Sequence, residues 1–419
     1  MFPKTGNACR KSRGGLGSAL ALALALTGGA VVGTAVTASP ALAQNSKGFA
    51  AVYKPVADIT NAPDGDLAAA KAQLPGVIAA AQTPDDKHVA GNLALILGNK
   101  LKDPVLQRQG LELMLASGKV DPAQVGELQF LVGNLAYNAK DFPAARTALQ
   151  AAIAAGRTAD NPEGLVAESY FGEGQNAQGL DFLKAQIEKR VAAGQPVPDQ
   201  WLLRGLQVAY NAKLDDQTLE WSTLLVTHGT SDKKWLQALQ VVNSLTTADK
   251  QAQLDLLRLM VLTNAMSDRR EYVTYIETAD PRIMSNEVAQ VLDAAVQAGV
   301  MTTGDAYYSD VKRVVDERAA ADRKDAPQLA ADARKSGSGR DAQVAGDVLL
   351  SIGSYAEAEE MFKLALDKGG VDRDLTLTRL GIAQVHQNKY AEAKATFGQV
   401  SGTRTTVARM WGAYANSRA

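Results

Sequence analysis

Tyr355-Ala356-Glu357-Ala358 and Tyr390-Ala391-Glu392-Ala393 are one four-residue text written twice, 35 residues apart. The surroundings of the two copies match in kind: Gly346 with Gly381, Gly353 with Asn388, and Phe362 with Phe397. Self-similarity at about 34 residues marks helix–turn–helix units that stack into a solenoid, because one such unit cannot bury its apolar face alone. The C-terminal end therefore sets the architecture, and the rest of the chain is read outward from it.

A third copy of the pattern lies further back. Leu128 to Tyr137 is followed by Lys140-Asp141-Phe142, then by Ala145, Leu149 and Ala152. Gly133 and Ala145 are small where two helices of one unit are expected to cross, since a larger side chain would hold the backbones apart. Phe142 and Leu149 are expected above and below that contact. Pro143 falls at the start of the second helix, where a missing N–H costs nothing. Elsewhere valines and isoleucines recur three and four apart rather than in alternation, so the fold class is all-α. Asp64 to Gln82, Gly91 to Leu101 and Val105 to Ser117 read as helices, with a break and cap at Thr83-Pro84-Asp85-Asp86. The first of these follows a short segment carrying Pro55 and Pro63. Further helices are expected at 235–245, 249–264, 270–277, 286–298 and 306–321, punctuated at Asp280-Pro281 and Gly299.

These units resemble tetratricopeptide repeats. That family places a small residue at the eighth position, an aromatic at the seventeenth, a small one at the twentieth and an aromatic or leucine at the twenty-fourth. Gly133, Phe142, Ala145 and Leu149 fit this register, as do Gly346, Tyr355, Ala358 and Phe362, and Gly381, Tyr390, Ala393 and Phe397. Looser units occur at Ala167, Gly179 and Leu183, with Asn176 in the aromatic place, and at Trp201, Gly205, Leu214 and Trp221, with Gln217 in the small place. The resemblance implies a right-handed α-solenoid of antiparallel helix pairs. Three parts are expected: a leader at 1–43, a helical solenoid at 44–323 with repeat-like units near 126–225, and C-terminal repeats at 324–419. The charged stretch from Lys324, ending in Ser336-Gly337-Ser338-Gly339, reads as a solvated helix followed by a loop, or as a hinge.

The leader has its own logic. Lys4, Arg10, Lys11 and Arg13 precede an apolar run centred on Ala19 to Leu26, which closes on Ala41-Leu42-Ala43. That order is a secretory signal peptide, with cleavage expected between Ala43 and Gln44. An uncleaved anchor is the alternative. The only cysteine, Cys9, precedes the apolar run, so the processed chain has no disulfide, zinc–thiolate site or catalytic thiol. An alanine-rich, cysteine-free exported chain fits a bacterial periplasm. The leader holds four of the 44 basic residues and none of the 45 acidic ones, leaving a net charge of −5. That balance opposes nucleic acid and anionic lipid as partners. After residue 44 no stretch is long and apolar enough to cross a bilayer.

The chemistry of the sequence is sparse. His88, His228 and His386 have no acidic or histidine partner at ligand spacing, so no metal and no cofactor is expected. Gly172-Glu173-Gly174 and Gly353-Ser354 lack the strand and lysine of a phosphate loop and read as turns. Glu168-Ser169 resembles the catalytic text of periplasmic lytic transglycosylases, but the glycine–methionine–glutamine text expected downstream is absent. A glutamate acid of that kind needs a desolvated cleft. The best candidate surface is the concave face of stacked first helices, to which Phe130, Asn134, Tyr137, Phe171, Tyr210, Arg379 and His386 are assigned. In the family, the position of Asn134 often hydrogen-bonds a ligand's backbone. The lysines of the family's carboxylate clamp are missing, so a protein or peptide partner of apolar or mixed character is expected. Three functions are weighed: a non-catalytic envelope scaffold, a peptidoglycan-acting enzyme on a superhelical frame, and a self-associating structural protein joined through Trp411 and Tyr414.

Overall fold

The structure, a computed structural model, describes residues 45–246 and 249–419. The expected leader lies outside the described residues. Every element described is helical: α1 (Lys47–Asn61), α2 (Leu67–Ala80), α3 (Pro84–Leu101), α4 (Pro104–Ala116), α5 (Pro122–Asn138), α6 (Phe142–Ala154), α7 (Pro162–Gly172), α8 (Asn176–Ala192), α9 (Asp199–Asn211) and α10 (Asp215–His228). The second half holds α11 (Lys234–Leu245), α12 (Lys250–Leu262), α13 (Arg269–Ala279), α14 (Ser285–Gln297), α15 (Ala306–Lys335), α16 (Gly339–Ser351), α17 (Tyr355–Lys368), α18 (Arg373–His386), α19 (Tyr390–Phe397) and α20 (Thr405–Arg418). A short 3₁₀ turn, Gly402–Arg404, leads into α20. Each helix packs on the next in sequence, which is the contact pattern of a solenoid. The protein is an all-α solenoid of stacked antiparallel helix pairs.

The repeat signature has a direct steric cause. A Cβ on Gly133 would lie 2.6 Å from Leu149, one on Gly346 2.7 Å from Phe362, and one on Gly381 2.5 Å from Phe397. The same arrangement recurs at Gly205, where a Cβ would meet Trp221 at 2.1 Å. The spacing from 133 to 149, 205 to 221, 346 to 362 and 381 to 397 is identical. In each unit the second helix sets one large side chain, sixteen residues on, against the bare backbone of the first, so the Trp201 unit follows the pattern despite Gln217. The turns agree as well. Gly353 and Asn388 both adopt left-handed backbone, with φ of 83° and 60°, conformations open mainly to glycine and asparagine.

Four expectations need correction. The segment before Pro63 is helix α1, capped by Ser46, with Pro55 on its solvent side and Phe49, Val56 and Thr60 buried on the other. Burial of that face outweighs the one backbone bond Pro55 cannot make. Phe142 does not fill its own unit's crossing; its ring lies against Gly172 of the next unit and edge-on to Tyr137. The boundary drawn at 323/324 falls within α15, a continuous helix from 306 to 335 with Pro327 exposed on its surface. The fourth concerns the C-terminus. Trp411 is fully enclosed and Tyr414 nearly so, rather than forming an open apolar end.

That burial arises because the solenoid closes on itself. α20 packs on α10 and α12 as well as on its neighbour α19, and α12 touches α18. Two helices consequently have no solvent face in their central turns: Leu254 to Met260 of α12 and Thr376 to Val385 of α18 are buried without interruption. A helix buried all round belongs to the interior of a domain. One core cluster accordingly runs from Ala167 to Ala415.

Replacing Gly346 by leucine should lower unfolding free energy in denaturant by about 1–3 kcal/mol through overpacking on Phe362. Gly76 is exposed on α2, and a Cβ added there would have nothing within 4 Å. It should tolerate alanine with a gain of roughly 0.5–1 kcal/mol. Equal effects at the two sites would contradict this packing.

Candidate functional site

Two places collect polar side chains on first helices. The earlier one is open. Tyr137 of α5, Glu168 and Phe171 of α7, and Arg204 of α9 form a continuous patch. Arg204 donates from Nε to Glu168 Oε1 at 2.6 Å and from Nη2 to Oε2 at 2.8 Å. The same guanidinium lies over the Phe171 ring at 5.4 Å. A fork-to-fork pair fixes both residues in one plane, and the arginine's second face is then set against the aromatic ring. The Tyr137 phenol is pushed up by burial, reinforced by the Glu168 charge and opposed by Arg204. Asn134 is partly buried and accepts from Asn138 Nδ2 at 3.2 Å, while Gln207 accepts from Arg204 Nη1 at 3.1 Å. Tyr210 extends the patch with 41% of its surface exposed, its hydroxyl 3.5 Å from Ser244 Oγ on α11.

Of the seven residues assigned to a groove, Asn134, Tyr137, Phe171 and Tyr210 therefore sit on this face. Phe130 does not: it is buried, with Arg157 over its ring at 5.2 Å. It packs between units, because its position on α5 faces Leu165 and Val166 of α7. Arg204 and Gln207 were missed. Their signal was faint, since nothing in the sequence pairs Arg204 with Glu168 except a spacing close to one repeat.

The later place is filled. Arg379 is 2% exposed, and His386 is stacked on Tyr355 with ring centroids 4.4 Å apart. Neither lines an open groove, because α12 and α20 both pack against α18. The centre of the contact is Asp255 on α12. Its carboxylate accepts from Arg258 Nη1 at 2.7 Å and from Arg404 Nη1 at 2.9 Å, and lies 3.6 Å from Arg379 Nε. Its backbone oxygen accepts from Trp411 Nε1 at 2.8 Å. Arg258 makes two further bonds to Glu287 of α14, at 2.7 and 2.8 Å, and Tyr275 donates to Glu287 at 2.7 Å. Arg379 reaches Asp347 of α16 at 2.6 Å and bonds Gln251 of α12.

The cluster thus balances three arginines, 258, 379 and 404, against three carboxylates, 255, 287 and 347. Their titrations differ in sign. Burial pushes the Glu287 carboxyl up, but Arg258 and Tyr275 more than offset it and hold the group below the usual carboxylate range. At Asp347 burial prevails over Arg379 and Arg258 and the carboxyl is raised. Asp347 keeps 20% of its side chain exposed in a recess, yet its Oδ1 has no partner. The remaining histidines are partly buried helix residues, His88 on α3 and His228 at the end of α10. Burial lowers both.

Among the described residues no group of three histidine, cysteine, aspartate or glutamate side chains is placed to hold a metal. A cleft of about 350 Å³ lies between α2 and α4, lined by Leu74, Pro75, Ile78 and Leu106. A shallow hollow of about 580 Å³ runs along α15 beside Tyr308 and Lys312. Glu168 lines neither. No helix of the described residues is long and apolar enough to span a membrane.

No family model matches the chain, and no curated protein matches it. Among solved structures 26 chains match. One belongs to "Structure of Naa15/Naa10 bound to HypK-THB", at 14% identity and a TM-score of 0.37, covering 81% of this chain and 62% of that one. The present chain thus spans less than two thirds of that relative's length.

Asp255→Ala should cost about 3–5 kcal/mol in denaturant unfolding, because it strands buried arginines. Asp347→Asn should lie within about 1 kcal/mol of the parent. A carboxyl raised in the folded state contributes stability that falls as pH rises through its titration, and the amide keeps an acceptor for Arg379. A loss at residue 347 as large as at 255 would contradict this division of roles.

Proposed function

We propose that the protein is an exported, non-catalytic scaffold of the bacterial envelope, holding a protein or peptide partner against the face formed by α5, α7 and α9. The observation that carries this reading is the contrast between the two sets of repeats. In the C-terminal set the concave side is occupied by the chain's own α12 and α20. In the earlier set the equivalent side leaves Tyr210 and parts of Asn134, Tyr137, Phe171 and Arg204 uncovered. Aromatic and arginine side chains of this kind dominate binding energy when a partner desolvates them.

The chemistry of the face also narrows the partner. Glu168 and Arg204 neutralise one another, and the surrounding polar groups are the amides of Asn134, Asn138 and Gln207. A strongly charged peptide would lose hydration without meeting a free counter-charge. An uncharged or mixed segment can place apolar side chains on Tyr137, Phe171 and Tyr210 while amides bond its backbone. Export to the periplasm is supported by the basic head, the apolar run and Ala41-Leu42-Ala43. The lytic-enzyme reading loses support from Glu168, whose two carboxylate oxygens are both engaged by Arg204 on an open face.

The test is capture of partners from envelope extract by the chain from Gln44 to Ala419, followed by direct titration of the captured partner. Asn134→Ala/Tyr137→Ala and Tyr210→Ala should each weaken that binding at least tenfold with helicity intact, as expected when central contacts are truncated. Binding unchanged in both variants would place the interaction elsewhere. Cleavage of peptidoglycan that is abolished by Glu168→Gln would overturn the scaffold reading.

A further inference from the structure

His386 ends α18 at the seam where the superhelix closes. Its ring lies flat on Tyr355 of α17, 4.4 Å between centroids and 7° between planes, and 6.4 Å from Trp411 of α20. Trp411 in turn stacks near Phe397 of α19 and meets Tyr414 edge-on. One aromatic column therefore joins α17, α18, α19 and α20, and an imidazole is its only member that gains charge in mild acid.

The surroundings disfavour that charge. The charged groups facing the ring are Arg258 from α12 and Glu287 from α14. Both Glu287 oxygens are already used, Oε1 by Arg258 and Tyr275 and Oε2 by Arg258 again. Tyr355 from α17 presents its ring face, Trp411 and Tyr414 from α20 carry no charge, and Arg379 earlier on α18 is held by Asp347. An imidazolium formed here lies beside a fixed cation, and the nearest carboxylate is already committed to Arg258 and Tyr275. In the closed form His386 is partly buried, and release of α20 opens its ring fully to water.

We infer that His386 is a proton-operated latch: protonation loosens α20 from α18, frees Arg404 and Trp411 from Asp255, and uncovers the concave side of the C-terminal repeats. This device is independent of the partner face on α5, α7 and α9. Burial, with a smaller push from Arg258 and opposed by Glu287, lowers the ring to about 4 from the ordinary 6.5. A base depressed in the closed state contributes stability that is whole above the ordinary value and lost as pH falls through it toward 4. At pH 4.5 the balance between open and closed forms should have shifted on the order of 10- to 100-fold toward open. Asp347, whose carboxyl is raised by burial, contributes with the opposite sign as pH falls, which is why the assignment needs variants at residue 386 itself.

The test is hydrogen exchange of the chain from Gln44 to Ala419 at pH 7, 5.5 and 4.5, with rates corrected for intrinsic pH dependence. Amides of α20 should open 10- to 100-fold more often at pH 4.5 than at pH 7, while those of α5 and α6 change little. His386→Phe keeps a ring in the column and removes the proton; its α20 amides should change less than threefold. If that variant fails to fold at pH 7 by circular dichroism, His386→Gln is judged by the same criterion. Constant α20 protection in the parent, or equal acceleration in the uncharged variant, overturns the latch.

Discussion

Everything in the second half of the molecule depends on one carboxylate. Asp255 lies in the middle of a helix with no solvent face, at a place where an isolated charge would be prohibitively costly. It is tolerated because two guanidinium groups bond it, a third lies within ion-pair distance, and an indole N–H takes its backbone oxygen. These donors come from α12 itself, from α18, and from α20 with its preceding turn. A stacked solenoid needs only contacts between neighbours; this cluster joins residues up to 156 apart in sequence. It converts a one-dimensional stack into a closed body.

Closure changes what the repeats can do. The same helix-pair geometry produces an accessible concave side around α5, α7 and α9 and an occupied one around α16 and α18. Occupation is specific rather than merely hydrophobic, since Arg379, Asp347 and His386, all on that concave side, find partners in α12, α20 or one another. Buried ion networks of this type add less net stability than their number suggests, and their best-attested role is to fix one arrangement against others. Here the arrangement fixed is the register of α12 and α20 against α18.

Much of this architecture was legible in the sequence, for a physical reason. The glycine that receives a large side chain from the second helix is a local constraint, so Gly133, Gly346 and Gly381 announce their units without any knowledge of the rest. Caps are local as well: Thr83, Pro84 and Asp86 start α3 as expected, with a reciprocal capping box. Closure is not local. Nothing about Asp255 or Arg258 in the text of α12 distinguishes a buried network from a solvated helical face, because their partners lie in distant helices. The same limit explains Arg379 and His386, whose register assigns them to a groove but cannot reveal that α12 and α20 pack against their helix. It also explains Trp411 and Tyr414, which look like an adhesive end until α10 and α12 are seen beneath them. Pro55 misled in the other direction, since a proline on the solvent side of a well-packed helix breaks one bond without ending the helix.

Closure rests on side chains that are far apart in sequence, and a double-mutant cycle between Asp255→Asn and Arg404→Gln measures it most directly. Residues in one buried network should couple, and the predicted interaction energy in denaturant unfolding is about 1–3 kcal/mol. Additivity of the two changes to within about 0.5 kcal/mol would mean that α20 and α12 do not meet through this pair, and would contradict the closed superhelix.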